Sequence, residues 1–245
     1  MNLISGKKVL LLFIIVFPPA GLYSQQDTTD SKGKLNAAAD IVSGYIWRGV
    51  VSDLSPNIQP SLFYTKGNFE AGFWGSSNFS ATYKETDFYL QYSLKNFTVG
   101  VYDYFWCNKK YFVFDKNKTG HVVETYIIYE GSDKFPLKLT AASWVYGDDK
   151  MMHINSMSND TSYTNLYSSY MEAAYTFSFK NNNLEVAIGG TPKKGYYGGE
   201  AGIVNITVTG SREVKITDKY SLPVKVSVIA NPQKSQIFTM FGITI

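Results

Sequence analysis

Apolar and polar residues alternate in short segments along the chain from about Leu35 to Ile245. Each segment is about ten residues long, is rich in strand-forming residues and is bounded by Gly, Asn, Asp, Lys or Pro. The pattern predicts about twelve β-strands, at residues 35–48, 56–65, 69–79, 85–94, 97–106, 121–130, 136–146, 166–179, 184–191, 202–216, 222–230 and 235–245. An even number of short alternating strands is typical of a β-barrel made for a membrane.

The gaps between the predicted strands differ in length in a regular way. Gaps after odd-numbered strands are long or variable, and gaps after even-numbered strands are mostly tight turns, such as 66–68 and 95–96. In bacterial outer-membrane barrels the short turns and both termini are periplasmic and the long loops face outward. A soluble up-and-down barrel has no reason to segregate its loops. The predicted fold class is therefore all-β: an antiparallel transmembrane up-and-down β-barrel of about 12 strands, with both termini periplasmic.

Each predicted strand has one apolar and one polar face. In segment 85–94, Phe88 and Leu90 share a face, and Asp87 and Gln91 share the other. A soluble β-protein would show the same alternation with its apolar face inward, so the period alone leaves both cases open. Segment 235–245 ends the sequence on an alternating apolar face, as expected of a strand that closes an outer-membrane barrel.

The first 24 residues have the features of a secretory signal peptide. Lys7 and Lys8 form a positive region, an apolar run follows at 9–17, and small Ser24 precedes the expected cleavage site. The apolar run is shorter than the about 20 residues that a spanning helix needs, although an uncleaved N-terminal anchor is the alternative. We therefore expect export to the bacterial outer membrane through a cleaved signal peptide.

The remainder of the chain divides into a leader and one domain. Residues 25–34 are polar and aperiodic and are predicted to be a flexible leader, and residues 35–245 form the predicted transmembrane β-barrel. The single cysteine, Cys107, is not at the cleavage site, so a lipid anchor is not expected. A lone cysteine also cannot form an intrachain disulfide.

The composition agrees with a membrane barrel without deciding the matter. The chain has 19 Tyr, 16 Phe and 4 Trp, and 18% of its residues are charged, against about 25% in soluble domains. Tyr and Trp concentrate at membrane–water boundaries, but soluble β-sandwiches also use Tyr freely. The net charge of +3 comes without a cluster of Lys and Arg, so nucleic acid is not an expected partner.

Five stretches of the sequence carry a family resemblance. They are residues 40–49 (DIVSGYIWRG), 55–62 (SPNIQPSL), 69–75 (FEAGFWG), 86–92 (TDFYLQY) and 215–224 (KITDKYSLPV). Together they resemble the TorF-type family of predicted porins, and the likeness spans nearly the whole chain after the signal peptide. The resemblance implies an outer-membrane barrel with a pore. It brings no established catalytic or binding residues to carry over.

Candidate catalytic residues are few. A twelve-stranded outer-membrane phospholipase uses a Ser/His pair, but the two histidines here are His121, at the head of a strand, and His153, in the longest gap. Ser143 lies on a neighbouring strand, and a general base needs its nucleophile within hydrogen-bond reach. We therefore predict no enzymatic activity and no catalytic residues, with a membrane hydrolase as the least favoured alternative.

Metal and cofactor sites are likewise not predicted. Two isolated histidines and one cysteine supply no ligand spacing for a transition metal. Asp148, Asp149 and the pair 159–160 could attract Ca²⁺ weakly, but such residues more often solvate a loop. The Gly-rich segment 189–195 lacks the order of a phosphate-binding loop and is expected to be an ordinary loop. The prediction is therefore no metal and no cofactor.

The polar faces of the strands supply the candidate functional residues. If the apolar faces meet outer-membrane lipid, the pore-lining residues are Asp40, Arg48, Gln59, Glu70, Glu85, Asp87, Gln91, Glu124, Lys138, Glu172, Glu185 and Lys225. Acidic groups dominate this set, and carboxylates lining a pore favour cations. The hypothesis is a porin: a narrow passive channel for small hydrophilic solutes, weakly cation-preferring, inserted by the barrel-insertion machinery.

Two alternatives to an open channel remain. In the first, the inward charges pair with one another, Arg48 and Lys138 with nearby carboxylates, and plug the barrel. In the second, the barrel is a non-conducting surface or adhesion protein that acts through its long outer loops, at 108–119 and 147–165.

Overall fold

The computed structural model describes residues 32–154 and 161–245, and these residues form β-strands and connections. The predicted signal peptide and most of the predicted leader lie outside the described residues. The strands are β1 (Lys34–Val42), β2 (Tyr45–Trp47), β3 (Val50–Asp53), β4 (Asn57–Lys66), β5 (Phe69–Asn78), β6 (Lys84–Leu94), β7 (Phe97–Phe105), β8 (His121–Ser132), β9 (Phe135–Gly147), β10 (Lys150–Ile154), β11 (Thr161–Asn165), β12 (Ser169–Phe179), β13 (Asn182–Thr191), β14 (Gly202–Lys215), β15 (Ser221–Asn231) and β16 (Gln236–Thr244). None of the described residues forms a helix with the length and hydropathy needed to cross a bilayer.

Twelve of these strands form a closed antiparallel barrel. Their order around the wall is β1, β16, β15, β14, β13, β12, β9, β8, β7, β6, β5 and β4. Successive wall strands are neighbours throughout, so the topology is up-and-down. The remaining four strands form two separate hairpins, β2 with β3 and β10 with β11. The predicted fold class, an all-β antiparallel barrel of about 12 strands, is confirmed.

The last strand closes the barrel, as the sequence predicts. β16 pairs with β1 over three residue pairs, from Asp40 opposite Thr244 to Val42 opposite Gly242. Two backbone hydrogen bonds of 2.9 Å between Ala39 and Ile245 extend this pairing by one step. On its other side β1 pairs with β4 over nine residue pairs.

The alternating residues place their apolar side chains on the outside of the wall. On β6, Phe88 and Leu90 are 46% and 48% exposed, whereas Asp87 and Gln91 are 1% and 3% exposed. β12 and β15 show the same arrangement: exposed Met171 is next to buried Glu172, and exposed Val226 and Val228 flank buried Ser227. A water-soluble barrel would show the reverse. The alternation of the sequence left open whether the apolar faces point inward or outward, and burial shows that they point outward.

The two ends of the barrel carry connections of different length. Tight connections at 67–68, 95–96, 133–134, 180–181 and 216–220 lie at one end, here called the turn end. The connections at 43–56, 79–83, 106–120, 148–168, 192–201 and 232–235 lie at the other end, here called the loop end. Gly67 has a φ of +57°, a left-handed conformation that glycine adopts at little steric cost in a tight turn. The predicted pattern, long or variable gaps at one end and mostly tight turns at the other, is confirmed.

The predicted first strand, 35–48, is wrong in its second half. The wall strand β1 ends at Val42, and residues 45–53 form the β2–β3 hairpin, here called the inner hairpin. All three residues of β2 are buried, which a wall strand with one exposed face cannot achieve. A smaller difference is that the strand predicted from 166 begins at Ser169, while the preceding gap carries β10 and β11.

Candidate functional site

The inner hairpin lies inside the barrel, in the space here called the lumen. Its Trp47 ring packs on Tyr104 of β7 and Trp144 of β9, with ring centroids 5.1 and 6.4 Å apart. At the hairpin tip, Gly49 has a φ of +76°, and a Cβ there would lie 1.9 Å from the Val204 carbonyl oxygen. Gly49 therefore packs directly against the backbone of β14, the third strand from β1 around the wall, and only glycine fits this close approach.

The tip residue Arg48 forms a bidentate ion pair with Glu124 of β8. Arg48 Nη1 lies 2.6 Å from Glu124 Oε2, and Nη2 lies 3.0 Å from Oε1. The two side chains are 4% and 1% exposed. Burial by itself would lower the pKa of Arg48, but the Glu124 carboxylate more than offsets this and holds that pKa above its usual value. The guanidinium is therefore a fixed positive charge in the lumen.

Tyrosine side chains enclose this ion pair. Tyr104 donates a hydrogen bond of 3.0 Å to Glu124 Oε1, and Tyr197 donates one of 3.2 Å to Oε2. Arg48 Nη1 also donates to the Tyr197 hydroxyl, at 2.5 Å. The guanidinium carbon lies 4.8 Å from the centre of the Tyr170 ring and 5.6 Å from that of Tyr197. These distances permit cation–π attraction in addition to the ion pair.

The other predicted pore-lining residues lie on the inner face of the wall strands. Asp40, Gln59, Glu70, Glu85, Asp87, Gln91, Glu124, Lys138, Glu172, Glu185 and Lys225 are all buried or nearly so. Arg48 is the exception to the predicted placement, because it belongs to the inner hairpin and not to a wall strand. It nevertheless lies in the same lumen as the rest of the set.

Several of these inward groups are bonded to one another or to neighbouring polar groups. Lys225 lies 2.7 Å from Asp40, and Lys138 lies 4.0 Å from Glu130. Other contacts bring donors to carboxylates: Tyr89 and Gln91 to Glu70, Tyr83 to Glu85, the Phe105 amide to Asp87, Tyr170 and Asn205 to Glu172, and Thr176 to Glu185. The amide of Gln59 contacts Ser76. The inner face is thus an acidic, hydrogen-bonded surface.

Aromatic rings that point into the lumen are the feature that the sequence analysis did not predict. Tyr89, Tyr102 and Tyr104 stack along the lumen at centroid distances of 4.9 and 5.1 Å. The segment 192–201 also folds inward and buries Tyr197 completely. One signal was present in the sequence, because Tyr89 and Tyr170 fall on the polar faces of their strands. Aromatic rings on a polar face indicate an interior that they fill.

The candidate catalytic histidine lies on the wall beside the loop 106–120. His121 Nδ1 is 2.9 Å from the Asp103 carboxylate, and Nε2 is 2.6 Å from the Tyr111 carbonyl oxygen. Phe114 stacks on the imidazole at 4.8 Å. The Nε2 contact ties the loop to the wall, and the Nδ1 contact joins the wall strands β8 and β7. His153 is exposed on β10, opposite Ser162 of β11.

The remaining candidate sites have structural partners. Asp148 pairs with Lys109 at 2.7 Å, and Asp149 accepts hydrogen bonds from the amide and hydroxyl of Ser168. The pair 159–160 lies outside the described residues. Within the part of the chain that the structure describes, no group of three His, Cys, Asp or Glu side chains is arranged to hold a metal.

Comparison with known proteins adds no family to this description. The chain matches no protein-family model, and no curated protein matches it.

Proposed function

We propose that this chain is a bacterial outer-membrane β-barrel. The support is the apolar outer face of the wall, since a row of half-exposed Phe, Leu, Ile and Val side chains suits lipid and not water. The segregation of long loops to one end and tight turns to the other is the arrangement of outer-membrane barrels. The predicted signal peptide and the resemblance to TorF-type porins agree with this location. Its partners are then outer-membrane lipid and, during biogenesis, the barrel-insertion machinery.

We further infer that the barrel is a porin whose channel is closed by the inner hairpin in the conformation described. The observation that carries this inference is the chemistry of the inner face. Seven of the twelve predicted lining residues are carboxylic acids and three are basic, and rings of carboxylates favour cations. A permanent plug would gain more from apolar packing than from a buried ion pair such as Arg48–Glu124. A polar contact of this kind suits a hairpin that moves out of the lumen to admit small hydrophilic solutes.

The second candidate is a barrel that does not conduct and acts at its loop end. It is favoured by the close filling of the lumen, where Tyr170 and Tyr197 are 0% exposed. In this case the inner hairpin is a fixed part of the core. The loops at 106–120 and 148–168 would then carry the activity, as contact surfaces for another molecule.

Removing the inner hairpin distinguishes the two candidates. Val42 and Asn57 are direct partners across β1 and β4, so a two-residue Asn-Gly turn can replace residues 43–56 without straining either strand. The variant and the wild-type chain are refolded, checked for barrel formation by a heat-dependent gel shift, and placed in planar bilayers under a KCl gradient. A porin gives a steady current in the variant and rarer openings in the wild type.

The reversal potential tests the selectivity. Cation preference is expected, because the carboxylates of Glu70, Glu85 and Asp87 remain on the inner face when the hairpin is gone. If the variant folds but carries no current, the porin proposal is overturned, and the barrel that acts through its loops remains as the candidate function. Anion preference overturns the proposed selectivity alone. Shortening the loop 106–120 serves as the matched control, since a porin keeps its conductance when an outer loop is trimmed.

A further inference from the structure

The wall of the lumen carries a binding site that the inner hairpin fills with its own Arg48. Four side chains form the site: Glu124 on β8, Tyr104 on β7, Tyr170 on β12 and Tyr197 in the connection 192–201. None of the four belongs to the inner hairpin. The site is therefore assembled by the barrel, and its occupant arrives from an element 76 residues away in sequence.

The site holds its shape through contacts that do not involve Arg48. The Glu124 carboxylate accepts a hydrogen bond from Tyr104 on one oxygen and from Tyr197 on the other, at 3.0 and 3.2 Å. The Tyr170 hydroxyl lies 2.5 Å from Glu172 and accepts from Asn205 at 3.1 Å. The carboxylate and the aromatic faces are thus pre-oriented, which lowers the ordering cost of binding.

The geometry selects a guanidinium group over a simple ammonium ion. Both oxygens of Glu124 face the two terminal nitrogens of Arg48, at 2.6 and 3.0 Å. This parallel pair of bonds matches the planar fork of a guanidinium, which an ammonium cannot reproduce. The ring of Tyr170, 4.8 Å from the guanidinium carbon, provides a face on which a planar cation can stack.

We propose that Glu124, Tyr104, Tyr170 and Tyr197 form a recognition site for guanidinium-bearing cations, which Arg48 occupies while the inner hairpin is in the lumen. A free guanidinium-bearing solute then competes with Arg48 for the site. One consequence rests on the proposed function: if the barrel is a porin, guanidinium-bearing solutes pass through the channel or favour its opening. The binding itself does not depend on conduction.

The test empties the site and measures what refills it. Arg48→Ala removes the resident guanidinium, and guanidinium chloride and methylguanidinium are titrated at constant ionic strength into the refolded full chain in detergent. Trp47 and Trp106 pack on Tyr104, and Trp144 packs on Tyr197, so tryptophan fluorescence reports occupancy. We expect a saturable change in Arg48→Ala, and at least about tenfold weaker binding after the further change Glu124→Gln, because a charge-assisted pair of hydrogen bonds is lost.

Matched controls separate binding at this site from a general salt effect. Sodium and tetramethylammonium chloride carry the same charge without the fork, and the wild-type chain has the site occupied, so both are expected to give weak or no response. Equal responses to sodium and guanidinium, or equal binding with and without Glu124, would overturn the proposal. If Arg48→Ala gives no heat-dependent gel shift, Arg48→Gln keeps more of the packing volume and is titrated in the same way.

The result is separable from the proposed function. If guanidinium binding is saturable but the hairpin-deleted barrel carries no current, the proposed binding site stands and the proposed porin function is refuted. If the barrel carries current but guanidinium does not bind, the porin function stands and the binding site is refuted.

Discussion

Lys225 on β15 reaches past β16 to Asp40 on β1, with its Nζ 2.7 Å from the Asp40 Oδ2. Gly242 on the intervening strand makes room for this contact, because a Cβ there would lie 2.5 Å from the Lys225 Cε. Thr244 donates to the other carboxylate oxygen at 2.6 Å. The β1–β16 seam has three registered residue pairs, against nine between β1 and β4. The buried bridge therefore strengthens the short seam at which the barrel closes.

Replacing Gly242 with Ala should weaken the seam. The added methyl group forces the buried Lys225 side chain away from Asp40, and overpacking of this kind costs about 1–3 kcal/mol. The measurement is the midpoint temperature of the heat-dependent gel shift, which should fall. The control is Gly210→Ala in β14, where nothing lies within 4 Å of an added Cβ. Equal shifts in the two variants would contradict the role of the Lys225–Asp40 bridge.

Glu124→Gln should expose the inner hairpin to trypsin. In the wild-type chain Arg48 is buried against Glu124, so the protease cannot reach it. Without the carboxylate, the buried guanidinium loses its counter-charge at a cost of about 3–5 kcal/mol, which favours release of the hairpin. We expect cleavage after Arg48, detected by mass spectrometry.

The control for the trypsin experiment is Glu70→Gln. Glu70 is also a buried carboxylate on the inner face, but its donors are Tyr89 and Gln91. This variant should resist cleavage at Arg48. Cleavage of both variants at the same rate would mean that the Arg48–Glu124 pair does not hold the hairpin in place.

Leu90→Arg should distinguish a membrane barrel from a soluble one. Leu90 lies mid-way along β6 with 48% of its surface exposed on the outer face. On the lipid face an arginine costs about 2–4 kcal/mol near the bilayer midplane and about 0–1 kcal/mol near the interface. Leu94→Arg, on the same strand and face but at the turn end, is the matched control. Urea unfolding in lipid vesicles should show the larger loss for Leu90→Arg, whereas a water-exposed wall would tolerate both changes.

The wall strands could be predicted because the pattern that defines each strand lies within its own short stretch of sequence. A strand with one lipid-facing side alternates at every residue, so the segment predicted at 85–94 is observed as Lys84–Leu94. Tight turns such as Lys95-Asn96 mark the boundaries in the same local way. The face assignments on β6 and β15 followed from the same period, and burial then decided which face is outside.

The occupied lumen could not be predicted, because its contacts are not local. Residues 45–47 are strand formers and read as a continuation of β1, and the break is marked by Gly44 alone. Arg48 and Glu124 are 76 residues apart, on elements that do not pair in the wall. Alternation tells which face a residue occupies, but not which residue it meets across the lumen. The sequence therefore predicted, as one alternative, that Arg48 pairs with a carboxylate, but it did not predict which carboxylate.

Cys107 provides a direct test of location and orientation. It is exposed in the connection 106–120 at the loop end, and it is the only cysteine in the chain. If loops face the cell exterior, a membrane-impermeant maleimide should label Cys107 in intact cells. The matched variant carries Cys107→Ser with Asp133→Cys, which moves the thiol to an exposed turn at the turn end. Labelling of this variant should require permeabilised cells, because the turn is then periplasmic. The opposite pattern would reverse the orientation, and equal labelling of both in intact cells would contradict a membrane-spanning barrel.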